Sequence, residues 1–164
     1  MAIKNKVYLG SDHAGFLLKE SLKKYLASIN VPFQDLGNMV HDLNDDYPDF
    51  SYKVASTLYL NPGSFGVICC GSSFGACIAA NKVNGARAVA VRSANEAKLA
   101  REHNDANILC LAGGGMREGS RGMALSKKEA QKVVKAFLTT PFSKAERHRR
   151  RVEKIKDLER KNFT

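Results

Sequence analysis

The chain has 164 residues, of which 44% are hydrophobic, enough for one well-buried core and short for two, so a single domain spanning 1–164 is expected. No uncharged apolar run approaches the ~20 residues of a membrane span, and Met1 to Lys6 lacks the apolar centre of a signal peptide, which predicts a soluble, cytoplasmic protein without a membrane partner. The net charge of +10 invites a polynucleotide reading, but Lys144 to Thr164 holds nine Lys or Arg against four Asp or Glu, so half of the excess lies in one C-terminal segment. An anionic small molecule explains it equally well. The four cysteines, Cys69, Cys70, Cys77 and Cys110, sit inside apolar patterns without C-x-x-C spacing, which predicts free thiols and no metal site.

In chain order, Val7 to Gly10 reads as a short strand, and Ser11-Asp-His-Ala-Gly15 is the turn after it. Phe16 to Ile29 repeats apolar residues at helical spacing: Leu17, Leu18, Leu22, Tyr25, Leu26, Ile29. Pro32 to Gly37 gives a second strand and Asn38 to Asp46 a polar loop, in which His41 reads as a surface residue. Pro48 suits the first turn of a helix that ends at Asn61-Pro-Gly63. Phe65 to Cys70 is a third strand, Gly71 to Gly75 a turn of small residues, and Ala76 to Val83 a helix. Ala88 to Val91 and Ile108 to Ala112 make two more strands. Capping-box patterns at Ser93-Ala-Asn-Glu96, Ser126-Lys-Lys-Glu129 and Ser143-Lys-Ala-Glu146 start three helices, the last near Lys144, and the Gly-rich stretch Gly113 to Leu125 reads as a loop.

Alternating strands and helices at this spacing predict an α/β fold: a three-layer αβα Rossmann-like sandwich on a five-stranded parallel sheet, with an extra C-terminal helix. Ligands of such sheets lie at the carboxyl ends of the strands, which gathers residues 11–15, 38–47, 71–75 and 113 onward on one rim. Asp12, His13, Cys70 and Ser72 then become neighbours. Successive strand residues face opposite ways, so one of Cys69 and Cys70 packs while the other, assigned here to Cys70, faces the turn. The amides of that turn, at the start of a helix, suit an anion and favour a lowered thiol pKa.

The motifs Ser11-Asp-His-Ala-Gly15, Asp46-Tyr-Pro48, Ile68-Cys-Cys-Gly71, Ile78-Ala-Ala-Asn-Lys82, Arg101-Glu-His-Asn-Asp105, and Arg147-His148 with Arg151-Val152 resemble, in order and spacing, the B-type ribose-5-phosphate isomerases, from about residue 6 to residue 155. The same group includes galactose-6-phosphate isomerase subunits and allose-6-phosphate isomerases. The resemblance implies a metal-independent, cofactor-free aldose–ketose isomerase working through an enediolate, with the pentose phosphate pathway as its setting. It implies Cys70 as the base, the amides of Gly71, Ser73 and Gly75 as the enediolate hole, and Ser72 as a proton shuttle helped by Asp12. It further implies His103 for ring opening, Asn104 and Tyr47 in the sugar pocket, and His13, Arg147 and Arg151 on the phosphate. The implied assembly is a homodimer, or a tetramer, with shared active sites and the basic helix 144–164 at the interface.

For each residue a structural role stands beside the implied one: core thiols for Cys69 and Cys70, a helix cap for Asp12, a C-terminal helix residue for His103. The chain departs from the family at Ser73, where relatives carry Gly, and at Ala145-Glu146, where they carry Gly-Gly. Its loop after the fifth strand is longer, leaving Arg117 and Arg121 as rival candidates for one further arginine. A six-carbon sugar phosphate as substrate, or a non-catalytic binding relative, are the alternatives. Nucleic acid is disfavoured, since aromatics are only 8% of the chain and Gly113-Gly-Gly115 continues into no nucleotide-binding motif.

Overall fold

In the computed structural model, described for residues 3–114 and 121–162, five strands form one parallel sheet in the order β2-β1-β3-β5-β4. These are β1 (Val7–Ser11), β2 (Phe33–Asp35), β3 (Phe65–Cys70), β4 (Ala88–Ala90) and β5 (Ile108–Ala112). The connecting helices are α1 (Phe16–Ser28), α2 (Tyr47–Leu60), α3 (Phe74–Ala80) and α4 (Ala94–Asn104), followed by α5 (Lys127–Thr139) and α6 (Glu146–Asn162). β1, β3 and β5 are buried at every position or nearly so, as central parallel strands covered on both faces must be.

Chain direction sets the layers. From β1 the chain steps outward to β2, then back across β1 to β3, and the right-handed crossover rule puts helices of opposite-going connections on opposite faces. α1, α4 and α5 therefore cover one face, where Leu18, Leu22, Leu26, Ala97, Val133 and Phe137 meet Val7, Leu9 and Leu109. α2 and α3 cover the other, where Val54, Ala55, Ala76 and Ala80 meet Ile68 and Ile108. The three-layer expectation and the five strands hold, and the reversal of winding direction opens a crevice between the carboxyl ends of β1 and β3.

Several boundaries move. α3 begins at Phe74 rather than Ala76, because Ser73 takes a left-handed backbone (φ 71°) and the chain turns helical directly after it. The expected capping box at Ser143 does not form. Lys144 is left-handed (φ 56°), the Ser143 hydroxyl pairs with His148 Nδ1 at 2.6 Å, and α6 starts at Glu146. Ser126 and Glu129 do form the reciprocal box that starts α5. In the loop after β5, a short 3-10 turn spans Arg121–Met123, while Arg117 and the Arg121 side chain lie outside the described residues.

One buried cation ties α1 to the edge of the sheet. Lys19 is fully buried, with its ammonium 2.5 Å from Asp35 Oδ2 and 2.8 Å from Glu20 Oε1. Burial works against the Asp35 carboxylate, but Lys19, Lys23 and the Gly37 N–H outweigh it and hold Asp35 below its usual value.

Candidate active site

The parallel register sets Ser11 on β1 beside Cys69 on β3, so the residues that follow each strand emerge together at the crevice. Cys69 points toward α1 and is fully buried. Cys70 faces the other way, and its thiol donates to Asp12 Oδ2 at 3.1 Å. The second oxygen of Asp12 accepts the Gly15 N–H at 2.9 Å, just before α1, so the carboxylate both caps the turn and holds the thiol. Its contact is thus with Cys70, not with Ser72. Asp12 and Cys70 are 5% and 7% exposed, which makes this a nearly dry pair.

That dryness corrects the expected lowering of the Cys70 pKa. Burial first, then the charge and hydrogen bond of Asp12, push the thiol up to about 12, against the smaller opposing pull of the Gly71 and Ser73 amides. A thiol at that value is thiolate to roughly one part in 10⁵ at pH 7. The thiol proton is directed at Asp12 Oδ2, 3.1 Å away.

The turn after β3 is drawn in by close packing. Gly113 N–H donates to Cys70 O at 2.8 Å and Gly114 N–H to Gly71 O at 2.9 Å, extending the β3–β5 ladder beyond the strands. A Cβ on Gly15 would lie 2.1 Å from Cys69 O, and one on Gly113 2.7 Å from Ala14 O, so only glycine lets these three turns converge. Tyr47, at the start of α2, lies over Gly75, whose added Cβ would come within 2.5 Å of the Tyr47 ring.

Ser73 is 4% exposed, and its hydroxyl donates to the Ser72 carbonyl. A left-handed L-residue costs about 1–2 kcal/mol, offset in part by the larger backbone entropy that a glycine would lose on folding. Ser73→Gly is accordingly expected to raise the unfolding free energy by roughly 0.5–1 kcal/mol in urea titrations, with kcat preserved. A loss of stability would mean that the hydroxyl contact outweighs the backbone strain.

His13 follows Asp12 and is held from a loop that the sequence marks only as polar. Its backbone N–H and its Nδ1 both lie 2.7 Å from Asp45 Oδ1. Asn38 Nδ2 donates to Asp45 Oδ2 at 2.7 Å, and the Ser11 hydroxyl donates to Asn38 Oδ1 at 2.9 Å. His41 remains exposed, yet it stacks on Phe16 and its Nε2 lies 3.0 Å from the His13 carbonyl. Asn38 and Asp45 carried no signal in the sequence, because a polar residue in a loop reads the same whether it faces water or a partner 32 residues away.

His103 and Asn104 lie at the opposite edge of the sheet. A helix joining two parallel strands runs antiparallel to them, so α4 ends where β5 begins, whereas Cys70 pairs with Ala112 at the far end of β5, about 13 Å farther along at ~3.3 Å per residue. His103 packs against His148 with ring centroids 4.3 Å apart. Burial, then His103 and the Arg147 and Arg151 charges, keep His148 below its usual pKa. Arg147 Nε donates to His148 Nε2 at 3.1 Å, which leaves His148 Nδ1–H to donate to Ser143 Oγ. The chain thus carries two separate polar clusters, a thiol–carboxylate rim and an imidazole–arginine edge.

The fold is that of an α/β protein whose parallel sheet carries, at its switch point, a thiol that donates to a carboxylate. Residues 7–155 match the family model described as Ribose/Galactose Isomerase. Ribose-5-phosphate isomerase B of Mycobacterium tuberculosis is 42% identical over 155 residues, covering 94% of this chain and 90% of that protein. The crystal structure of ribose-5-phosphate isomerase B from Mycoplasma genitalium with bound ribulose-5-phosphate superposes with a TM-score of 0.88 at 36% identity, covering 98% of this chain and 99% of that one. The Clostridium thermocellum enzyme gives 0.85 at 35% identity, covering 95% and 98%. The chain belongs to the ribose/galactose isomerase family and is an isomerase.

Proposed function

We propose that this chain interconverts ribose 5-phosphate and ribulose 5-phosphate through an enediolate, and that its two half-sites meet across a homodimer. The observation that carries the proposal is the Cys70–Asp12 contact of 3.1 Å at the switch point, in a chain of this family. Removing the proton on the carbon next to a carbonyl requires a base whose own proton has somewhere to go, and Asp12 Oδ2 is positioned to take it from Cys70. The sulfur then accepts the proton from C2 of the open-chain aldose and returns it to C1. The amides of Gly71, Ser73 and Gly75 stabilise the charge that develops on the oxygens, where each preorganised donor is worth about 3 kcal/mol. Ser72 carries the proton between the two oxygens.

His103 opens the sugar ring and Asn104 binds its hydroxyls, both supplied by the partner subunit together with Arg147 and Arg151 for the phosphate. Tyr47 borders the sugar, and His13 meets the phosphate from its own subunit. Two features of the basic helix support this assembly. Only His148 and Val152 are buried on α6, and Leu158 is left 58% exposed. No described helix is long and apolar enough to cross a membrane, and a cytoplasmic, dimeric enzyme of one domain is the form that we assign.

The test is an isomerase assay without added metal on ribose 5-phosphate, allose 6-phosphate and galactose 6-phosphate. The highest kcat/KM is expected on ribose 5-phosphate. A higher value on either six-carbon sugar would reassign the substrate, and inactivity on all three would leave only a binding role.

A further inference from the structure

We infer that Asp45 is a positioning residue of this enzyme, which holds the His13 imidazole in the one orientation that turns Nε2 toward the phosphate end of the substrate. The inference rests on the assignment of His13 to the phosphate. One oxygen of Asp45 accepts two N–H groups of His13, from the backbone and from Nδ1, each at 2.7 Å. A carboxylate so placed keeps a proton on Nδ1 and prevents the ring from flipping, so that Nε2 faces the ligand and, when it carries the second proton, donates to a phosphate oxygen.

The carboxylate is itself fixed. Its other oxygen accepts from Asn38 Nδ2, and Asn38 is oriented in turn by the Ser11 hydroxyl at the end of β1. Ser11 is fully buried, Asn38 is 8% exposed and the Asp45 side chain 10% exposed. Around them Met39, Val40 and Leu43 lie 74%, 70% and 62% exposed, so this loop keeps apolar side chains in water while it commits polar ones to the interior. A loop that needed only to close between β2 and α2 gains nothing from that inversion. The chain of contacts ends on His13, next in sequence to the Asp12 that holds the thiol.

The test is a set of variants assayed on ribose 5-phosphate, with inorganic phosphate as competitive inhibitor. Asp45→Ala is expected to raise KM and the phosphate inhibition constant together, by about five- to tenfold, and to leave kcat within about twofold, as loss of preorganisation of one charged contact should. Asn38→Ala should show the same pattern at smaller size, and it carries the test if Asp45→Ala does not fold. In a His13→Ala background Asp45→Ala should add nothing, because its effect passes through the missing ring. Long-range proton–nitrogen NMR spectra with phosphate bound should show both His13 ring nitrogens protonated in the parent, and the Nδ1 proton no longer held in Asp45→Ala. A fall in kcat with KM unmoved, or the same fold-change with and without His13, would overturn the inference. If His13→Ala raises KM but Asp45→Ala does not, the inference fails alone; if His13→Ala leaves KM and phosphate inhibition unchanged, the phosphate assignment fails and takes the inference with it.

Discussion

Cys70→Ala is expected to lower kcat/KM on ribose 5-phosphate by at least about 100-fold, with the fold intact by circular dichroism, because general-base catalysis is worth ~10²–10⁴. The magnitude follows from where the proton sits. Burial and Asp12 hold the thiol well above its usual value, so thiolate formed by simple ionisation is scarce at neutral pH. In the proposed reaction the thiol proton moves onto Asp12 as the substrate proton arrives, which makes sulfur and carboxylate one unit. Asp12→Asn should therefore lose nearly as much as Cys70→Ala, and the double variant little more than either, since residues that act together are not additive. Activity in Cys70→Ala equal to that of the parent would remove the base, and multiplicative losses in the double variant would separate the pair.

That this thiol is held protonated rather than lowered toward thiolate was invisible in the sequence for a definite reason. Strand alternation is local, so it put Cys69 and Cys70 on opposite faces correctly, but both faces of this sheet are covered, and Cys70 is packed in one core cluster as Cys69 is in the other. The pKa is not local: it depends on a carboxylate 58 residues away and on the burial of both groups. The amides that the turn predicted are present and do act on the sulfur, but burial and Asp12 outweigh them. Secondary structure divides in the same manner. β1, β3 and β5 are mostly apolar runs, and Ser126 and Glu129 bond each other in the reciprocal box, so pattern and structure agree. Ser143 carries the same capping pattern, but His148 takes its hydroxyl and Lys144 turns left-handed, which only tertiary packing decides. The opposite placement of His103 was legible in principle, since any helix between adjacent parallel strands ends at the amino edge of the sheet.

That placement gives the second large effect. Cys70→Ala and His103→Ala, each purified alone, should both be nearly inactive on ribose 5-phosphate, yet mixing them under conditions that exchange subunits should restore activity. In a mixed dimer one site receives an intact Cys70 from one chain and an intact His103 from the other, while the second site has neither. Random exchange of equal amounts makes half of the dimers mixed, each with one working site of two, so the recovered activity should approach about one quarter of the parent value. The exchange is symmetric in the proposed dimer, where a two-fold interface pairs the rim of each chain with the edge of the other. A site formed within one chain predicts no recovery at all, because every chain in the mixture lacks one of the two groups. Within one chain β5 spans the distance between Ile108, just past His103, and Ala112, which pairs with Cys70, so bringing the two groups together there would require breaking β5, an inner strand paired on both sides.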